Sequence, residues 1–180
     1  CWLGRLPGGL GLATIGAGAA FGAVCGSGPA SAATMTAVAM PEMRRHHFNI
    51  DFGAGIIAAG GSLGIMVPPS VVFIVYAIMT ELSPATLFIA GILPSLLVTI
   101  LFGAYIFLLC RKRPDLAPLG RTFTWRERFH SLTGVSETLI LFTVVMGGMF
   151  TGWFTPTEAA AVGAGGSIVI AMTQKKLTVK

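Results

Sequence analysis

Charge is what this sequence most lacks. Only 11% of its 180 residues are Asp, Glu, Lys or Arg, against about a quarter in a typical soluble domain. Apolar residues make up 54%. That balance excludes an ordinary water-soluble domain and indicates an all-α integral membrane protein whose surroundings are a lipid bilayer. The net charge of +5 is no sign of nucleic-acid binding. The basic residues fall in short clusters between apolar segments, where the topology signals of membrane chains lie.

Reactive side chains are scarce too. The three cysteines, Cys1, Cys25 and Cys110, are far apart and form neither a metal-ligand spacing nor a disulfide framework. His46, His47 and His130 fall in expected loops, and no serine within an apolar segment has an evident base partner. Asp51, Glu81 and Glu158 stand at segment ends and do not pair. These absences argue against an enzyme. No charged residue lies within an apolar span, which disfavours a proton relay. The start, Cys1-Trp2-Leu3-Gly4-Arg5, has neither a methionine nor a charged leader, so the chain is expected to be an internal piece of a longer one.

What is present is a set of apolar segments interrupted by glycine and proline. Residues 52–80 carry no charge and are long enough to cross a bilayer, yet they contain Gly60, Gly61, Gly64, Pro68 and Pro69. Pro68 and Pro69 lack N–H groups and disfavour helix before them, so a helix break is expected there. Residues 8–41 are also uncharged and divide at Gly26-Ser27-Gly28-Pro29-Ala30-Ser31. Each half is short for a span of about 20 residues, and basic residues flank both ends. A re-entrant hairpin with its tip at 26–31 is expected, against one long kinked helix. Asn49 or Asp51 is positioned to cap the next helix. Ser83 and Pro84 fit an N-cap and first helical residue, opening an apolar span over 85–110 that contains Pro94. By the positive-inside rule, 44–47 and 111–113 are expected in the cytoplasm and 81–84 outside.

A basic loop follows at 111–133. Within it Thr124-Trp125-Arg126-Glu127 has capping-box spacing, suggesting a short interfacial helix with Trp125 and Phe129. Two more spans are expected over 134–174. The second opens with Thr155-Pro156-Thr157-Glu158, another capping box, and Lys175 and Lys176 place its end inside. The whole reads as one membrane domain over 1–180: a hairpin at 1–47, a broken helix plus a spanning helix at 50–110, the loop, and the last two spans.

At membrane depth the remaining polar groups are backbone and hydroxyls: Gly26, Ser27, Gly28 and Ser31 at the first break, and Gly60, Gly61, Ser62, Gly64 and Ser70 at the second. Unwound carbonyls and hydroxyls suit Na⁺, and half-helix N-termini suit a carboxylate. Two breaks facing each other would set a cation site beside an anion site. Equally, the small residues serve close helix packing. A channel finds no filter-like ring or charged lining here, and a purely structural subunit would tolerate substitution at Ser27 and Ser62.

Three motifs carry a family resemblance. The run from Phe21 through Cys25-Gly26-Ser27-Gly28-Pro29-Ala30-Ser31 to Met35, with Met40-Pro41-Glu42-Met43-Arg44-Arg45 after it, resembles the hairpin motif of the large membrane subunit of tripartite ATP-independent periplasmic (TRAP) transporters. Ala58-Ala59-Gly60-Gly61-Ser62-Leu63-Gly64-Ile65-Met66-Val67-Pro68-Pro69-Ser70 is similar to a second family motif, and Phe154-Thr155-Pro156-Thr157-Glu158-Ala159-Ala160-Ala161 to a third. The resemblance implies part of an inverted-repeat, elevator-type core in a bacterial or archaeal inner membrane, with a second repeat after Lys180. It implies Na⁺-coupled import of an organic acid, such as a C4-dicarboxylate or sialic acid. A periplasmic substrate-binding protein would deliver the acid and a small membrane subunit would complete the complex. It maps an ion site onto Gly26, Ser27, Ser31, Gly60, Gly61, Ser62 and Gly64, with the substrate near Ser27, Pro68, Pro69 and Ser70. The alternative is a self-sufficient Na⁺-coupled organic-anion symporter of related fold.

Overall fold

Glycine and proline mark the two breaks within the uncharged segments of this chain, after Cys25 and after Met66. The computed structural model describes residues 6–117 and 125–173, with side chains at all of these except 125–135, 137, 138 and 173. Every regular element among the described residues is helical. The chain divides into two compact units, Cys1–Thr124 and Trp125–Lys180.

The first unit holds α1 (Gly9–Cys25), α2 (Gly28–Arg45), α3 (Ile50–Met66), α4 (Val71–Thr80), α5 (Pro84–Lys112) and a 3-10 turn (Pro114–Leu116). α1 ends on Gly26, whose φ of 65° is left-handed, a conformation that costs glycine nothing. Ser27 follows, and α2 begins at Gly28. Residues 9–45 are thus two helices joined by a two-residue turn at the expected tip. α2 then continues through Pro41 to Arg45. Pro41 and Ala37, whose carbonyl loses its helical partner, are both exposed, so the missing bond falls on the outer side of the helix.

Asn49 caps α3: its Oδ1 accepts from the Phe52 N–H at 2.9 Å. α3 ends at Met66 and α4 starts at Val71, so the expected break is present across 67–70. Ser83 and Pro84 hold the expected N-cap and first-turn positions of α5, although the Ser83 hydroxyl makes no capping bond. Within α5, Pro94 removes one donor. Next to it the Ser95 and Thr99 hydroxyls donate to the Ile92 and Ser95 carbonyls at 2.9 and 2.7 Å. The α3–α4 segment (Ile50–Thr80, 31 residues) and α5 (29 residues) are each long and apolar enough to cross a membrane.

Glycine lets α1 and α2 pack directly on the α3 backbone. A Cβ on Gly22 would lie 2.5 Å from the Gly64 Cα, and one on Gly18 would lie 3.1 Å from the Gly60 Cα. On the other side, a Cβ on Gly61 would lie 2.6 Å from the Ala32 Cβ. Small residues at such spacings let membrane helices approach closely. Below these contacts sits an apolar core that includes Ile15, Met35, Met43, Ile56, Ile57 and Leu63. The outer faces of α4 and α5 expose large apolar side chains such as Ile78, Met79, Leu93 and Leu97, as lipid-facing helices do. The Asn49 N–H donates to the Leu116 carbonyl at 2.9 Å. That bond pins the start of α3 to the chain leaving α5, so the basic segments around 44–47 and 111–113 share one end of the unit.

The second unit is a pair of helices, α6 (Trp125–Phe150) and α7 (Pro156–Thr173). Here the structure departs from the sequence expectation of a loop reaching 133. α6 is continuous from Trp125, because the isolated Gly134 is too weak a breaker to stop a helix. The two helices pack through small residues, Gly166 on Leu141 and Gly163 on Val145. The Thr155 capping box forms as expected. The Thr155 N–H and hydroxyl both donate to Glu158 Oε2 at 2.8 Å, and the Glu158 N–H donates to Thr155 Oγ1 at 3.3 Å. Cys1, Arg5, Thr124, Lys175 and Lys176 lie outside the described residues. The side chains of Trp125, Glu127, Phe129 and His130 lie outside them as well.

Candidate functional site

The two breaks in the first unit meet. The Val71 N–H, first in α4, donates to the Gly26 carbonyl at 3.3 Å. A Cβ on Gly26 would lie 3.1 Å from the Pro69 carbonyl oxygen and 3.6 Å from the Ser70 Cα. On the other flank, a Cβ on Gly64 would lie 2.7 Å from Ser31 Oγ and 3.1 Å from the Ser27 carbonyl oxygen. Gly28 abuts Ile65 and the Gly61 carbonyl at 3.1 Å by the same measure. The C-terminal ends of α1 and α3 and the N-terminal ends of α2 and α4 therefore converge on one junction.

The prolines decide which backbone groups are left bare there. In a continuous helix the Gly64 and Ile65 carbonyls would accept from residues 68 and 69. Both are proline and have no N–H. The last intact bond of α3 is Val67 N–H to the Leu63 carbonyl, at 2.8 Å. Across the junction, α4 presents its first-turn amides; only Val71 has its partner on the α1–α2 tip, and Ile74 donates to the Ser70 carbonyl at 3.2 Å. Helix C-termini carry partial negative charge and N-termini partial positive charge. The junction thus offers bare carbonyls suited to a cation next to amides suited to an anion.

Two hydroxyls sharpen that description. Ser31 is 0% exposed and Ser70 is 1% exposed, and neither Oγ has a hydrogen-bond partner. A buried hydroxyl without a partner costs roughly 1–3 kcal/mol, and two of them fall at this junction. Among the described residues no cluster of His, Cys, Asp or Glu is fit to hold a metal. A cation here would be held by neutral oxygens, as hard alkali cations accept.

The residues singled out in the sequence separate into two groups. Gly26, Ser27, Ser31, Gly61, Gly64, Pro69 and Ser70 lie at the junction, and Pro68 is buried beside it against Gly91 of α5. Gly60 lies a turn away, against Gly18 and the Thr14 carbonyl, and serves packing. Ser62 is exposed, and its hydroxyl donates to the Ala59 carbonyl of its own helix at 2.7 Å, so the structure does not bring it into the junction. Sequence reasoning missed Gly18 and Gly22, which carry the close approach of α1 to α3. Their four-residue spacing, continued by Gly26 and mirrored by Gly60 and Gly64, was the signal that could have found them.

The family model described as "Tripartite ATP-independent periplasmic transporter, DctM component" matches residues 1–180. The chain is 39% identical over 170 residues to the C4-dicarboxylate TRAP transporter large permease protein DctM of Pseudomonas aeruginosa, covering 94% of this chain and 39% of that protein. It is 38% identical over 168 residues to the isethionate TRAP transporter permease protein DctMQ of Oleidesulfovibrio alaskensis (93% of this chain, 26% of that one). To the sialic acid TRAP transporter large permease protein SiaM of Vibrio cholerae it is 36% identical over 162 residues (89% and 37%). The chain spans about two fifths or less of the length of these relatives. The family is one of membrane transport permeases rather than an enzyme class, and its match favours TRAP permeases over self-sufficient symporters. On the match across its whole length, this chain belongs to the DctM-component family of the tripartite ATP-independent periplasmic transporters.

Proposed function

We propose that this chain forms the first repeat of a Na⁺-coupled permease that imports an organic acid across the inner membrane. The observation that carries the reading is the pair of buried, unpartnered hydroxyls, Ser31 and Ser70, where two helix breaks meet. In this reading Ser31, Ser70 and the carbonyls of Ser27, Gly64 and Ile65 supply oxygens to Na⁺. Gly26, Gly61 and Gly64 keep the elements close enough to do so. The N-terminal ends of α2 and α4 face the carboxylate of the substrate, beside Ser27, Pro68 and Pro69. Filling the cation site would order the tip and the break together, so the carboxylate would bind to a site whose ordering cost is already met.

The α1–α2 hairpin is re-entrant from the cytoplasm in this account. The segments 44–47 and 111–113 lie on the cytoplasmic side, in keeping with the bond between Asn49 and Leu116 that draws them to one end. An elevator movement of this core would carry the junction between the two faces of the membrane. The relatives' names include C4-dicarboxylate, isethionate and sialic acid, and an anionic organic acid is the substrate class inferred here. A periplasmic substrate-binding protein and a small membrane subunit are the inferred partners.

The test is uptake of organic acids into proteoliposomes holding the full-length permease and its small subunit. Na⁺ gradient and binding protein are each supplied or withheld. Uptake that needs both is expected. Uptake that proceeds without a Na⁺ gradient would overturn the coupling, and uptake without any binding protein would overturn the partner assignment.

A further inference from the structure

A groove on the first unit lies away from the junction, between α1, α3 and α5. It has a volume of about 330 Å³, and its walls are Ile15, Ile56, Phe102 and Ile106. Gly55 lines it from α3. Unlike Gly18 or Gly22, Gly55 is not needed for close packing: a Cβ there would meet nothing within 4 Å. An unneeded glycine inside a helix costs about 1 kcal/mol relative to alanine, and here it keeps the groove open.

Two polar residues, Asp51 of α3 and Tyr105 of α5, also line the groove, and both are exposed. Asn49 caps α3, so Asp51 is free of that task, and it makes no ion pair or hydrogen bond among the described residues. Asp51, Gly55 and Ala59 repeat every four residues and so share one stripe of α3. At the same end of the unit, α5 finishes with Arg111 and Lys112, and Arg113 follows as its C-cap. All three are exposed and without an ion pair among the described residues. The Asn49–Leu116 bond joins these two ends. An apolar slot therefore carries a carboxylate on its α3 wall, and the helix that forms its α5 wall ends in a cluster of cations, in a family of membrane permeases.

We propose that this groove binds one acyl chain of a phospholipid that bears a primary ammonium, with the ammonium on Asp51 and the phosphate toward Arg111, Lys112 and Arg113. A primary ammonium donates hydrogen bonds to a carboxylate, and guanidinium and ammonium groups donate to phosphate. A choline headgroup has no N–H to give Asp51, and a glycerol headgroup has no cation.

The full-length permease with its small subunit is purified and reconstituted in vesicles of phosphatidylglycerol mixed with either phosphatidylethanolamine or phosphatidylcholine. Bound lipid is then counted by native mass spectrometry after detergent exchange. The parent protein is expected to retain phosphatidylethanolamine about tenfold over phosphatidylcholine, the size of one charge-assisted hydrogen bond. Asp51→Asn should keep a bound lipid but lose that preference. Gly55→Leu should fill the slot and lose the lipid while remaining monodisperse, since leucine is a better helix former than glycine. If Gly55→Leu fails to fold, Asp51→Asn, a change at an exposed side chain, decides the question alone. Equal retention of both lipids by the parent protein, or an unchanged preference in Asp51→Asn, would overturn the proposal.

Discussion

Two turns between apolar helices, the Gly26-Ser27 tip in the first unit and the turn before Pro156 in the second, treat their polar groups in opposite ways. At the second, Thr155 and Glu158 bond to each other through side chain and backbone, and both are exposed. That turn is complete by itself. At the first, Ser27 holds the N-cap position of α2 without a capping bond, and the nearby Ser31 and Ser70 hydroxyls are buried and unpartnered. Sequence composition is alike in the two places, glycine, proline and hydroxyl residues between apolar runs. What separates them is burial: at the second turn exposed groups are satisfied locally and make a cap, while at the first buried hydroxyls are left without a partner, which is the ground for the proposed cation site.

Substitutions in the full-length protein can break or sharpen this contrast. The largest effect is expected from Gly22→Leu, because even a Cβ at Gly22 would meet the Gly64 backbone at 2.5 Å. Backbone cannot yield as a flexible side chain does, and a loss of about 3 kcal/mol or more is expected in thermal unfolding in detergent. In the second unit Gly147 has open space around its Cβ position, and Gly147→Ala should leave stability unchanged or raise it by up to about 1 kcal/mol.

Next in size are Ser31→Ala and Ser70→Ala. Each should weaken the Na⁺ dependence of uptake about tenfold or more, as loss of one oxygen contact to a charged group does. Thr155→Ala should cost about 1 kcal/mol of stability through the lost cap and leave the Na⁺ dependence of uptake where it was. A shift in apparent Na⁺ affinity in that variant would erase the distinction between the two turns. The smallest effect is expected from Ser62→Ala. Its exposed hydroxyl is engaged with its own helix, and both stability and Na⁺ dependence should stay within about 0.5 kcal/mol of the parent.

Much of the fold was legible before any coordinates, and for local reasons. Proline lacks an N–H wherever it stands, so Pro68 and Pro69 announced the end of α3. Asn49 or Asp51, of which Asn49 forms the cap, and the Thr155–Glu158 pair announced helix starts by side-chain chemistry that reaches only three residues. The limits were local as well. The loop expected to reach 133 is helical from Trp125, since an isolated glycine such as Gly134 does not stop a helix. The candidate site was legible in its parts but not in its assembly. Ser27 and Ser62 look equivalent in the sequence, each beside glycine in an uncharged segment. Only the packing of α1 and α2 on α3 brings Ser27 to the junction and leaves Ser62 outside, and that packing depends on pairs such as Gly22 with Gly64, far apart along the chain.

The central claim is that the two unpartnered hydroxyls await a cation, and the most direct measurement is thermal unfolding of the full-length permease in NaCl against choline chloride at equal ionic strength. A ligand that binds only the folded state raises the melting temperature with its concentration. The parent protein is expected to be stabilised by Na⁺ specifically. Ser31→Ala and Ser70→Ala are expected to start at least as stable in choline, having lost a buried unsatisfied group, and to gain much less from Na⁺. A Na⁺-specific shift of full size in both variants would contradict the assignment of Ser31 and Ser70 as cation ligands.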